Sequence, residues 1–397
     1  MQAESSVPKP EDKLIRSATR PLAAPLYLAR NAGKTAPLIA VITLAVLLVA
    51  GIVALMDSIP YSIKVIYSYS RVALGISPRW DPNQTVKLRS IVQKECPVPI
   101  DRLVTCRAAS GQVKSIVGKW PFVVLGLNQD DMRYYTHRLG AENIVGRLPE
   151  PGKPEALVSE PVARNRGLKI GSDLLGPTDT DNFSPYHVKV VGIAQTKEWI
   201  MVTDIEYLQA NQFPAINFLL VFASNAVEQN KLDHWAEKRF KGLQAQIFAY
   251  HLLEKDTNDM FKILYKILDV VIGTLVLVIT LMMGMLMNIY QSQRLVEFGL
   301  LQALGYTKRQ LLRRVTIESL LVIVGGWIFG MIMAFILLNV VKAKLMDPSA
   351  FSLDTFDHIA YLYTVPIPVA IFAAAVLTVV LRFRNFDPVG VVERRLV

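Results

Sequence analysis

Five histidines, two cysteines and one Gly-Lys-Thr triplet are the residues through which this 397-residue chain could do chemistry. His137, His187, His234, His251 and His358 stand apart from one another. None has the His-Glu-x-x-His spacing that would set two imidazoles on one helix face around a metal. No Gly-x-Ser-x-Gly turn offers an acyl-transfer serine. Gly33-Lys34-Thr35 is spaced as the tail of a phosphate-binding loop requires, but the position where that loop needs its first glycine is Leu28. Without that glycine the backbone cannot wrap a phosphate. The chain is therefore not expected to be an enzyme, to bind a metal or to hydrolyse ATP. Cys96 and Cys106 lie in one segment with nine residues between them. In an oxidising compartment a bond between them would close a small loop and contribute ~2–3 kcal/mol by loop entropy. Two buried thiols, or a redox or metal pair, are the alternatives.

The elements that must position such residues are mostly apolar. The chain is 52% hydrophobic and 19% charged, with a mean hydropathy of +0.33. That is too apolar for an ordinary soluble protein and too polar for one wholly inside a bilayer. Four uncharged runs stand out: Ala36–Met56, Val270–Tyr290, Ser319–Val341 and Ile359–Leu381. Each is long enough to cross a hydrocarbon core of ~30 Å. The fourth contains Pro366 and Pro368, which predict a kink. The expected class is a membrane protein of four transmembrane α-helices, with an α+β extracytoplasmic domain between helices one and two. Residues 1–35 form a basic, proline-broken cytoplasmic segment with an interfacial helix, and 36–56 the first span. Residues 57–266 form the large domain with stalk helices, where β-like runs such as 122–125, 156–158, 188–193 and 218–222 alternate with helical pieces. Then follow the second span (267–290), a basic elbow (291–318), the third span (319–341), a short outer loop (342–358), the fourth span (359–381) and a basic tail (382–397). Tyr61, Tyr67, Tyr69 and Trp80 follow the first span, as interfacial aromatics on a stalk would.

The formal net charge is +10, and its placement gives it a topological meaning. The elbow holds Arg294, Lys308, Arg309, Arg313 and Arg314, and the tail Arg382, Arg384, Arg394 and Arg395. The 342–358 loop has Lys342 and Lys344 against Asp347, Asp354 and Asp357. The positive-inside rule puts both termini and the elbow in the cytoplasm and the large domain outside. Nucleic acid is not needed to explain the charge. The spans carry no charged residue, only Asp269 at an edge, which argues against an ion-coupled pathway. Gly326 and Gly330 in the third span form a GxxxG helix-packing face, a candidate dimer contact.

Gln291 to Ser319 organises the rest. Leu295, Phe298, Leu301 and Leu304 recur at helical spacing as one apolar face. Gly305 stops that helix, and Thr307 with Gln310 forms a capping box for the next. An apolar helix face at a membrane edge needs a partner or lipid to cover it. The string Glu297-Phe298-Gly299-Leu300-Leu301, then Ala303-Leu304-Gly305, then Glu318-Ser319-Leu320-Leu321, resembles the signature of FtsX-like, MacB-type ABC transporter permeases. Family members read close to REFGLLRALGATRRQI…ESLL here. Gly146 to Leu174, followed by Val190-Val191-Gly192-Ile193, is similar to the periplasmic core domain of that family. The tail's Asp387-Pro388-Val389 resembles the closing motif, with Gly390-Val391 where Glu-Ala is usual.

The resemblance implies a permease subunit in a bacterial plasma (inner) membrane that relays motion from an ATPase to its outer domain. It implies a permease homodimer packed mainly through the first two spans, and two copies of a separate ABC ATPase subunit that binds ATP and Mg. A periplasmic or membrane-fusion adaptor is a further partner it suggests. The elbow would be the coupling helix: Phe298, Leu300, Leu301 and Leu304 giving apolar contact, Ala303 beside them, Arg294 and Glu297 ion pairs, and Gly305 the turn. On that reading, Leu301→Asp would abolish stimulated ATPase activity without loss of insertion. Some relatives transport nothing and activate an outer partner such as a cell-wall hydrolase, which is the alternative function. The third reading is a membrane-anchored sensor without an ATPase.

Overall fold

The computed structural model describes residues 28, 31–79, 81, 83–213, 215–243 and 245–384. The expected interfacial helix near the N-terminus, Trp80 and the basic tail motif lie outside these residues. In chain order the helices are α1 (Ala32–Ile66), α2 (Gln84–Glu95), α3 (Gln129–Arg138), α4 (Glu160–Arg166), α5 (Ile205–Ala210) and α6 (Ala226–Arg239). They continue with α7 (Tyr250–Ser292), α8 (Leu295–Ala303), α9 (Lys308–Val341), α10 (His358–Leu362) and α11 (Pro366–Arg384). Two compact units result: residues 1–54, 264–339 and 355–397, and residues 55–263 with 340–354. The division falls within α1, within α7 and near the end of α9.

The first unit contains the apolar helices. Among the described residues four segments are long and apolar enough to cross a membrane: Ala32–Ile66, Tyr250–Ser292, Lys308–Ser349 and His358–Arg382. Their packing shows which face each buries. On α7, Ile272, Ile279, Met283 and Met287 are buried, while Val270, Leu277, Leu281 and Met285 are more than half exposed. That two-sided apolar helix suits a span with protein on one side and lipid on the other. The GxxxG face of α9 is used inside the chain. A Cβ on Gly326 would lie 3.0 Å from Ile42 Cβ, and one on Gly330 2.8 Å from Val46 Cβ. Thr43 Oγ1 donates to the Gly326 carbonyl at 3.2 Å. The absence of side chains lets α1 and α9 approach closely, so this face is not left for the dimer contact expected of it. The fourth span breaks where a kink was expected. Helix α10 ends at Leu362, and Pro366 starts α11 as the first-turn residue that needs no N–H partner. Trp327 Nε1 donates to Thr364 Oγ1 at 3.0 Å, holding the break.

The second unit is an α+β domain. Strands β1 (Leu74–Ser77), β2 (Ile100–Ser115), β3 (Gly118–Leu127), β4 (Ile144–Gly146) and β5 (Glu155–Ser159) come first. Then come β6 (Asp173–Leu175), β7 (Val188–Ala194), β8 (Met201–Asp204), β9 (Ala215–Ala223) and β10 (Gln246–Phe248). They form one mixed sheet in the order β10-β1-β9-β2-β3-β8-β5-β7-β4, with β6 on β7. β3–β8 and β5–β7 are parallel. The proline-rich stretch before β5 is a turn folded over Glu155. Arg147 Nη1 donates to Glu155 Oε2 at 2.6 Å, and the Glu150 N–H to the same oxygen at 2.9 Å. The loop after α9 joins this unit: Ser62 Oγ donates to the Ser352 carbonyl at 3.0 Å, and Asn165 Nδ2 to that of Ser349 at 2.8 Å.

The sheet also decides the cysteines. Cys96 and Cys106 are both free, so the expected disulfide is not formed. Successive strand residues point to opposite faces. On β9, Leu219 and Val221 belong to one core and Leu220 and Phe222 to the other. Cys106 is fully buried with Leu220 and Phe222, while Cys96, at the end of α2, packs against the Leu219 side. The sheet stands between the two sulfurs. Cys106 Sγ donates instead to the Phe218 carbonyl at 3.4 Å, and Cys96 Sγ to that of Val98 at 3.3 Å.

Candidate functional site: the basic elbow

The elbow is a nine-residue helix tied back onto the start of α9. Helix α8 ends in a Schellman motif. The Gly305 N–H donates to the Gln302 carbonyl at 2.9 Å and the Tyr306 N–H to that of Leu301 at 3.1 Å. Gly305 has φ +94, a left-handed conformation that a side chain would strain. Tyr306 and Leu301 pack in the same cluster, the apolar contact that accompanies this motif. The capping box follows: the Thr307 N–H donates to Gln310 Oε1 at 2.9 Å, and the Gln310 N–H to Thr307 Oγ1 at 3.4 Å. Turn and box together fix the angle at which α8 leaves α9.

Helix α8 divides the residues expected to couple. Phe298 is 1% and Leu301 8% exposed, in a cluster with Leu311, Val315 and Val379. They hold the elbow together and are not presented outward. Leu300 and Leu304 are 63% and 70% exposed. With exposed Val296 and Ala303 they form the spacing i, i+4, i+7, i+8, one continuous face of the helix. The sequence spacing put Leu304 with Leu301, because i and i+3 share a face in a regular helix. Leu304 instead ends the helix, and the turn at Gly305 leaves it outside. Leu301→Asp would thus place a charge in the cluster and break the elbow before it could report on coupling.

Arg294 likewise faces inward, and Glu297 meets it from the edge of the elbow. The Arg294 side chain is 3% exposed; its Nη1 donates to Glu318 Oε2 at 2.6 Å and its Nε to Glu297 Oε2 at 3.1 Å. Arg314 Nε donates to Glu318 Oε1 at 2.9 Å, and its Nη2 lies 3.5 Å from Glu297 Oε1. Burial acts to lower the Arg294 pKa, but the hydrogen bonds to Glu297 and Glu318 outweigh it and hold the guanidinium above its ordinary value. Two arginines and two glutamates therefore form one charge-balanced network joining α8 to α9. Glu318 and Arg314 were missed as partners. Their signal is the i, i+4 spacing on α9, matched by i, i+3 for Arg294 and Glu297.

His137, His187 and His251 each meet one carboxylate. His187 Nδ1 lies 3.0 Å from Asp173 Oδ2, and His251 Nε2 3.0 Å from Glu237 Oε2, with the His251 ring stacked on His234. Among the described residues no group of three His, Cys, Asp or Glu side chains could hold a metal.

The family model described as FtsX-like permease C-terminal matches residues 270–384. The match begins inside α7, spans the elbow and ends with α11. Among solved structures, the chain is similar to the periplasmic region of MacB from Actinobacillus actinomycetemcomitans at 8% identity and TM-score 0.28, covering 49% of this chain and 97% of that one. It is also similar to the extracellular domain of the noncanonic ABC-type transporter YknZ from Gram-positive bacteria, at 10% identity and TM-score 0.24, over 44% and 98%. A domain of a putative permease protein from Porphyromonas gingivalis aligns at 12% identity and TM-score 0.23, over 45% and 89%. No curated protein matched. The Gly-stopped helix, the capping box and the buried arginine–glutamate network all lie within residues 270–384, the part of the chain that matches the FtsX-like permease C-terminal model.

Proposed function

We propose that this chain is the membrane subunit of an ATP-driven ABC system in a bacterial inner membrane, and that the outer face of α8 docks on a separate ATPase. The observation that carries the reading is that face. Val296, Leu300, Ala303 and Leu304 are exposed together on a short helix whose other side is locked by Phe298, Leu301 and the Arg294–Glu318 network. A rigid helix with an unpartnered apolar side suits transmission of a push. The basic elbow is cytoplasmic by the positive-inside rule, where ATP is available. Movement of α8 would pass to α7 and α9, and along them to the domain between the first two spans. That domain lies outside in this orientation. Two copies of the chain with two ATPases, ATP and Mg residing in the ATPase, complete the assembly.

The test is purification of tagged full-length chain from its native membrane, with ATPase activity read on the eluate. Leu300→Asp and Leu304→Asp together are expected to reduce co-purified ATPase about ten-fold or more, the effect of removing a central apolar anchor. Insertion and elution of the permease should stay unchanged. An ATPase retained at wild-type level by the double variant would overturn the docking assignment.

A further inference from the structure

The domain between the first two spans contains an aromatic cavity of about 540 Å³ that the coupling function does not use. Its walls come from distant parts of the chain: Tyr67 and Tyr69 after α1, Phe122 on β3, Phe218 on β9 and Phe248 on β10. The rings are placed by their neighbours. Tyr69 meets Phe122 edge-on at 5.6 Å, and Phe218 meets Phe248 at 5.5 Å with 44° between planes. Tyr67 accepts a hydrogen bond from Trp120 Nε1 at 2.9 Å. Gly75 makes room for one wall. A Cβ there would lie 2.5 Å from Phe218 Cζ, so that ring rests on bare backbone. Any side chain at position 75 would require that ring to move.

One end of the cavity is polar, and the strand register shows why. Gly75 pairs with Phe248, and two residues on Ser77 pairs with Gln246. Ser77 and Gln246 both line the cavity, as does Arg79, two residues further. Arg79 sits at φ +57, a left-handed conformation that a side-chain-bearing residue rarely adopts. Its N–H donates to Ser77 Oγ at 3.2 Å, which holds the turn. Among the described residues no carboxylate forms an ion pair with Arg79. The volume lies within the ~300–1,000 Å³ of small-molecule sites, and so does the mixture of aromatic walls with a few convergent polar groups.

We propose that this cavity binds one small amphipathic molecule, with an apolar body against Phe122, Phe218 and Phe248 and a single anionic head on Arg79. A guanidinium favours a carboxylate-type head over a neutral one. The site stands independently of the ATPase, because every lining residue lies in the domain between the spans.

The test uses the full chain in phosphatidylcholine nanodiscs with a palmitate analogue carrying a terminal diazirine, crosslinked by light and mapped by mass spectrometry. Adducts are expected on peptides containing Phe122, Phe218 or Phe248. Palmitate should displace the probe about ten-fold better than hexadecanol, the worth of roughly one charge-assisted hydrogen bond. Arg79→Ala should remove that preference and Arg79→Lys retain most of it. Ser110→Trp, at an exposed position on the cavity wall, should block labelling. Adducts confined to span peptides, equal displacement by acid and alcohol, or labelling unchanged in Ser110→Trp would overturn the proposal.

Discussion

Asp233 is where a single side chain sets a pH dependence. It is 5% exposed on α6 and accepts from Gln229 Nε2 at 3.0 Å, and Gln229 Oε1 in turn accepts from the Ala223 N–H at 2.9 Å. Burial pushes its pKa up to about 6, against smaller lowering by the Gln229 hydrogen bond and the nearby histidines. The unfolded carboxyl titrates near ~3.9. Between those values the folded state holds more protons, so this group's contribution falls as pH rises through the window. Asp233→Asn keeps the acceptor and removes the charge. It is expected to be ~2–3 kcal/mol more stable than wild type at pH 8, about 1.4 kcal/mol per pKa unit, with the difference gone near pH 4. Denaturant melts at the two pH values measure it. A variant equally shifted at both would mean that packing, not ionisation, governs the site.

The elbow works as one element because its charges are buried in pairs. Glu318 and Arg294 are each 3% exposed, so removing Glu318 leaves two guanidinium groups without their shared acceptor. Glu318→Ala is expected to cost about 3–5 kcal/mol, as breaking a buried pair does. Glu297 is 34% exposed and joins the network from its edge. Glu297→Ala should cost ~1 kcal/mol or less, in the range of solvent-accessible pairs. Thermal unfolding in detergent ranks the two, and equal shifts would show that α8 is pinned by its apolar cluster alone. The same paired logic explains Gly326 and Gly330. Their face was legible as a packing motif, but which helix fills it depends on where α1 lies.

At the scale of the whole molecule, the free thiols report orientation. Cys96 is half-buried and Cys106 fully buried, and burial raises both thiol pKa values, so Cys96 should react slowly and Cys106 far more slowly still. With the domain outside, a membrane-impermeant maleimide is expected to label Cys96 in intact spheroplasts and not in inside-out vesicles. Cys106 should label only after unfolding, and two thiols should then be counted without reductant. Labelling only in inside-out vesicles would reverse the topology. A single charge imbalance thus links sequence to membrane placement, and one residue of intermediate burial can read it out.

The four apolar helices, the domain between the first two and the Gly305 and Thr307 signals at the elbow were determined by the sequence alone. Each rests on local physics: the length of an uncharged run, a glycine's left-handed backbone, a hydroxyl capping a helix. Tertiary structure decided what those signals cannot encode. It turned Leu301 inward and Leu304 outward, because a turn ends the helical periodicity that put them together. It set a sheet between Cys96 and Cys106, although nine residues of chain could have closed a loop. It drew Arg294, Glu297, Arg314 and Glu318 into one buried network, and it assembled an aromatic cavity from residues as far apart as Tyr67 and Phe248. Such groupings join distant segments, and only the folded chain fixes which distant side chains share a face.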